Sequence, residues 1–136
     1  MDTFTTMDTS INHLLKTDKR QTLTEHLNHD DSFHQHLEDQ YKDASCHFLR
    51  FWEATEYGIV LGRSNKATRE VYERLSQEAN IPIITRSSGG GTVLLGPGCL
   101  CFSLFIPTSH PSCQGITQSN DFIMDMNRQA LSGLLP

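Results

Sequence analysis

The residues best suited to chemistry in this chain are Arg86, Ser87, Ser88, Gly89, Gly90 and Gly91. They lie within Ile83 to Pro107, where two apolar, β-prone runs flank them and a Gly96-Pro97-Gly98 turn follows. Adjacent glycines weaken any strand or helix, because glycine gives up the most backbone entropy on ordering. Such a run suits a backbone that needs positive φ, or one that something approaches with no Cβ in the way. Arg86 at the entrance adds a planar cationic fork suited to carboxylate or phosphate. The pattern predicts an anion-binding loop between two strands. A Gly-rich hairpin with no ligand is the alternative these residues leave open.

Other candidate ligands read as structural. Cys99 and Cys101 are two positions apart and share one strand face, with Leu100 and Phe102 opposite. Their C-x-C spacing matches neither zinc nor redox C-x-x-C pairs, so they read as buried thiols acting as small hydrophobes. His26 and Asp30, and Asp30 and His34, have the i, i+4 spacing of a metal chelate. Nothing supplies a third ligand or an outer shell, so this stretch reads as a solvated polar helix face, without metal.

The elements that must position the loop follow from periodicity. Residues 1–20 are polar and aperiodic and are expected to fray. A helix is expected over Thr22 to Tyr41, a turn at Asp43 to Ser45, and strands at His47 to Glu53 and Tyr57 to Gly62. A second helix is predicted from Lys66 to Ala79, with Val71, Tyr72, Leu75 and Ala79 on its apolar face and a Glu70–Arg74 pair. Asn80 and Pro82 end it. Strands then flank the glycines, and Ser119 or Asn120 is expected to cap a last helix carrying Phe122, Ile123, Met126, Ala130 and Leu134. The order describes an α+β domain, a mixed β-sheet packed with helices.

Arg86-Ser87-Ser88-Gly89-Gly90-Gly91-Thr92-Val93, then Gly96-Pro97-Gly98 and Phe102-Ser103, resembles the signature of the lipoate–protein ligase and lipoyl (octanoyl) transferase family. Leu49 to Glu53 and Leu61-Gly62-Arg63-Ser64 are similar to the family as well. The resemblance implies the biotin/lipoate ligase catalytic-domain fold over residues 21–136, its N-terminal half, ending before the last strands. It implies ATP (with Mg), lipoate or octanoate, an acyl-adenylate such as lipoyl-AMP, and transfer to a lysine on a lipoyl carrier domain. Arg86, Ser88, Gly89, Gly90, Gly91, Thr92 and Val93 would bind the cofactor; Phe51, Trp52, Gly62, Arg63 and Leu94 would line the acyl pocket. Two departures matter. Leu95 stands where family ligases usually have histidine, and the family's lysine lies beyond the segment matched here, so no catalytic residue is assigned. A second subunit supplying the remaining half is one expectation, with an unpaired sheet edge as its physical consequence. A non-catalytic acyl- or adenylate-binding module is the alternative.

Composition fits this reading. The 136 residues allow one modest domain, and 16 acidic against 11 basic residues, a net charge of −5, argue against a nucleic-acid surface. No apolar run reaches the roughly 20 residues of a membrane span, and the start has no signal-peptide pattern, so a cytoplasmic location is expected.

Overall fold

A computed structural model describes residues 13–15, 21–40 and 47–134. Its elements run β1 (His13–Leu15), α1 (Leu23–Gln40), β2 (Phe48–Glu53), β3 (Gly58–Leu61), α2 (Ala67–Glu70), α3 (Glu73–Glu78), β4 (Ile83–Thr85), β5 (Val93–Leu95), β6 (Leu100–Phe105), a 3-10 turn (Pro111–Cys113) and α4 (Ile116–Ser132). The α+β architecture of mixed strands packed with helices is as expected, and the strands form two three-stranded sheets, ordered β1-β2-β6 and β4-β3-β5. The second is mixed: β3 runs parallel to β4 and antiparallel to β5. The chain divides into two compact units, one of Lys16–His36 with Arg50–Ser103, the other of Met1–Leu15, Leu37–Leu49 and Leu104–Pro136. Among the described residues no helix is long and apolar enough to cross a membrane.

The first of these units holds the glycine loop, and α1 is its frame. Thr22 and Glu25 form a capping box: the Thr22 hydroxyl accepts from the Glu25 N–H (3.2 Å), and the Glu25 carboxylate accepts from the Thr22 N–H (2.7 Å). These bonds hold the Glu25 carboxyl below its ordinary range. One turn of α1 then buries Leu23 with Trp52 of β2, Ala54 and Val60 of β3. Burying a leucine side chain of this kind contributes about 1.5–3 kcal/mol. Cys99 and Cys101 pack against that cluster while Leu100 and Phe102 stay exposed, the alternation of faces expected, although the thiols are half-buried rather than buried.

The solvated-face reading of α1 holds for His29, His34 and His36, which are exposed, and fails at His26 and Asp30. His26 is fully buried, its ring stacked on Trp52 at 4.7 Å. Arg50, 1% exposed, ion-pairs with Asp30 at 2.7 Å and donates to the His26 carbonyl (2.9 Å) and to His26 Nδ1 (3.1 Å). Asp30 also accepts from the Ser103 hydroxyl, which in turn accepts from the Trp52 indole N–H at 3.1 Å. An arginine pulled into the interior by strand alternation must be paired, and the α1 polar groups exist to pair it. Among the described residues no three His, Cys, Asp or Glu side chains converge as a metal site.

The helix expected over Lys66 to Ala79 is two short helices. Val71 (φ −133°, ψ 140°) is extended and Tyr72 is non-helical between them. A β-branched residue beside an aromatic one favours that break, and Tyr72, 83% exposed, gains no burial from continuing the helix. Arg74 consequently pairs with Glu78 at 3.2 Å rather than with Glu70. Asn80, with φ 54°, ends α3 as expected, through Ile81 N–H to Ser76 O (2.9 Å) and Asn80 N–H to Gln77 O (3.1 Å).

In the other unit α4 begins at Ile116 behind Gly115, ahead of the expected Ser119 or Asn120 cap; Ser119 Oγ instead donates to the Gly115 carbonyl at 2.9 Å. His110 packs on Phe122 (5.2 Å) and edge-on to His47 (4.9 Å). β1 occupies His13–Leu15, where no element was expected; the rest of residues 1–20 and the Asp43–Ser45 turn lie outside the described residues.

Burial, and next the Arg50 charge, push the His26 imidazole below its ordinary 6.5. The native state therefore holds it neutral, and the unfolded chain takes up the proton first as pH falls through 6.5. Stability is expected to drop below that pH, and His26→Gln, which keeps an acceptor for Arg50, is expected to flatten the dependence between pH 7.5 and 5.5 in urea titrations.

Candidate functional site

The β4-β3-β5 order dictates where the glycines go. β4 and β5 flank β3 on opposite sides, with Ile59 opposite Ile83 and Val60 opposite Val93. Their connection, Arg86 to Thr92, therefore arches over the C-terminal end of β3, where Gly62 and Arg63 sit. The Arg86 N–H donates to Leu61 O and the Arg63 N–H to Ser88 O, both at 2.9 Å. A Cβ on Gly62 would stand 2.1 Å from the Gly90 carbonyl oxygen, so the loop lies directly on this glycine.

The loop is held by its carbonyls. Ser88 O accepts from Arg63 N–H at 2.9 Å. Gly89 O accepts from Arg86 Nε (3.2 Å) and Nη2 (2.8 Å), and Gly91 O from the same Nη2 (3.0 Å). Gly90 O accepts from Asn65 Nδ2 at 3.2 Å, and that amide also donates to Thr92 Oγ1 at 3.0 Å. Gly90 turns the chain with φ +101°, a conformation L side chains rarely adopt. Ser87 Oγ donates to Asp31 of α1.

Every carbonyl from Ser88 to Gly91 thus has a donor, while the N–H groups of Gly89, Gly90 and Gly91 make no hydrogen bond among the described residues and lie exposed. Successive free amides in an irregular turn form a concave patch of positive potential that suits an anion. Nη1 of Arg86 likewise makes no hydrogen bond among the described residues and adds a formal charge beside them.

The structure brings Arg86, Ser88, Gly89, Gly90, Gly91, Thr92, Val93, Gly62 and Arg63 to one place. It does not bring Trp52 there: the indole is buried in the core on His26 and Ser103 and offers no open surface to a ligand. Phe51, on the opposite face of β2, is 43% exposed, and Val93 and Leu94 are also exposed, so the expected apolar wall is not closed around a chain-sized cavity. An open surface depression of about 410 Å³ lies in the other unit, lined by Pro111, Ser112, Gln118, Asp121, Phe122 and Asp125, none of them a predicted site residue. Two participants escaped the sequence reading. Asn65 follows a Gly-Arg-Ser turn that was noticed, but its partners are about 25 residues away in sequence; Asp31 sits on a helix read as solvated. Gly62→Ala should displace the loop and cost about 1–3 kcal/mol, read as a lower urea midpoint with unchanged slope.

Residues 22–134 match the family model of the lipoyl protein ligase A/B catalytic domain. The octanoyltransferase LipM of an Exiguobacterium species is 34% identical over 64 residues, which are 47% of this chain and 23% of that protein. A Thermoplasma acidophilum structure described as a lipoate protein ligase with bound lipoic acid superposes with TM-score 0.59 at 22% identity, covering 69% of this chain and 37% of that one. A bipartite lipoate protein ligase from the same organism, studied with its E2 lipoyl domain, gives 0.56 at 26% identity over 70% and 35%. A lipoate-protein ligase A with bound ATP gives 0.59 at 26% over 69% and 36%. The chain spans about a quarter of the curated relative and a little over a third of these structures. With most of its length matched by the family model and its fold shared with these ligases, the chain belongs to the lipoyl protein ligase A/B catalytic domain family.

Proposed function

We propose that the glycine loop binds the phosphate of an acyl-adenylate, made from ATP and lipoate or octanoate, on its way to a lysine of a lipoyl carrier domain. The observation that carries this reading is the asymmetry of the loop, in which the carbonyls from Ser88 to Gly91 all have donors while the Gly89 to Gly91 amides have no hydrogen-bond partner among the described residues. In the activation step the carboxylate attacks the α-phosphorus and pyrophosphate leaves. In the transfer step the lysine amine attacks the acyl carbonyl and AMP leaves. Both steps place charge on the phosphate that the loop would hold, and fixed donors aimed at developing charge lower the barrier. Ser88 and Thr92 frame the loop, Arg86 Nη1 would reach the same phosphate, and Gly62 and Arg63 support it from below. Phe51, Val93 and Leu94 are exposed apolar side chains available to an acyl chain. Mg²⁺ would arrive on the nucleotide phosphates, as it commonly does.

The lysine expected from the family resemblance is not matched by any residue at this loop; Lys66, the last lysine, precedes it. The rest of the ligase fold would supply it, in continuation of the chain or from a second polypeptide, as the bipartite relative makes physically reasonable. A cytoplasmic setting, where ATP is available, suits this chemistry.

A non-hydrolysable octanoyl-adenylate analogue at 100 times its Kd should stabilise the protein by about 2.7 kcal/mol, a rise in Tm on the order of 5–10 °C. Arg86→Ala, which frees both Gly89 O and Gly91 O, should abolish that rise. No shift with the unsubstituted protein would remove the reading. A shift without lipoylation of a carrier domain, given ATP, lipoate and any partner polypeptide, would leave a binding module.

A further inference from the structure

We infer that Asn65 is a positioning residue that sets the outward face of the glycine loop, an assignment resting on the phosphate-binding reading of that loop. Asn65 enters the site from the turn after β3, not from the loop itself. Its backbone N–H closes that turn on Gly62 O at 2.9 Å, which fixes where its side chain starts. From there a single Nδ2 donates to Gly90 O (3.2 Å) and Thr92 Oγ1 (3.0 Å). These contacts hold Gly90, the loop position with positive φ, and Thr92 two residues on.

The consequence is geometric. A peptide unit is planar, so fixing its carbonyl fixes the opposite direction of its N–H. Holding Gly90 O on Asn65 therefore points the Gly91 N–H, which belongs to the same peptide plane, away from Asn65. Arg86 does the same for the Gly89–Gly90 plane through Gly89 O. Arg86, however, is positioned to meet an anionic ligand itself, and a guanidinium drawn toward phosphate would loosen its hold on the carbonyls. Asn65 carries no charge and is not drawn toward an anion, so it keeps the loop in place when Arg86 is drawn away. The oxygen of its amide is not required; the donor is.

The test compares Asn65→Ala and the nearly isosteric Asn65→Asp, which lacks the donor, with Ser64→Ala as a neighbour outside the site. Affinity for the octanoyl-adenylate analogue is measured by calorimetry, with Tm and the ¹⁵N relaxation of Gly90 and Gly91 in the free protein. Both Asn65 variants should bind at least tenfold more weakly and show increased Gly90 and Gly91 mobility, with Tm lowered by only a few degrees, while Ser64→Ala behaves as the unsubstituted protein. Should Asn65→Ala fail to fold, Asn65→Asp carries the comparison. Binding by the Asn65 variants within twofold of the unsubstituted protein overturns the inference. So does Asn65→Asp matching the unsubstituted protein while Asn65→Ala fails, since that would make the role one of packing. Failure of the unsubstituted protein to bind the analogue would instead refute the phosphate-binding reading, and the role given to Asn65 with it.

Discussion

Arg50 is the constraint around which the site-bearing unit is arranged. β2 alternates so that Arg50 and Trp52 face the interior while Phe51 and Glu53 face solvent. An unpaired guanidinium in that position would cost several kcal/mol, so the sequence must bring acceptors to it. Asp30, the His26 carbonyl and His26 Nδ1 do so from α1, and Ser103 from β6 closes the far side of Asp30. Removing one partner of such a pair costs more than the pair contributes, because a buried charge is left behind. The arrangement therefore fixes the helix on the strands more by forbidding alternatives than by adding stability.

That fixation reaches the loop through adjacent residues. Asp30 meets Arg50, and Asp31, next in the helix, accepts from Ser87. β3 does the same from the other side, lying between β4 and β5 so that its end supports the arch. The loop is thus gripped from α1, from the turn after β3 and by its own arginine. Its amides stay free because the grip falls on carbonyls and on the Ser87 and Thr92 hydroxyls. Glycine is needed there for two separate reasons: Gly90 for its dihedral, and Gly62 for the backbone that lies on it.

Much of this was legible in the sequence because the signals were local. Alternation located β2, periodicity over Thr22 to Tyr41 located α1, and consecutive glycines beside an arginine located the loop. Two of the failures share one cause, which is that the deciding partner lay far along the chain. His26 and Asp30 read as solvated because their partner is Arg50, a residue on another element. Trp52 read as pocket wall because nothing local shows that Ser103 takes its N–H. The break at Val71 and Tyr72 was missed differently: a regular apolar spacing was taken as a buried stripe, and no surface buries it. Arg86 was read as a ligand for phosphate, and its contacts in the structure are with loop carbonyls, which gives it a shaping role.

The central claim is that free backbone amides of the glycine loop receive the phosphate. The most direct measurement is a ¹⁵N-resolved NMR titration of the protein with an octanoyl-adenylate analogue, following the Gly89, Gly90 and Gly91 amides. The account predicts saturable downfield proton shifts at these glycines, larger than at Gly115 or Gly133 in the other unit. Saturable binding that leaves the three loop amides unmoved would contradict it.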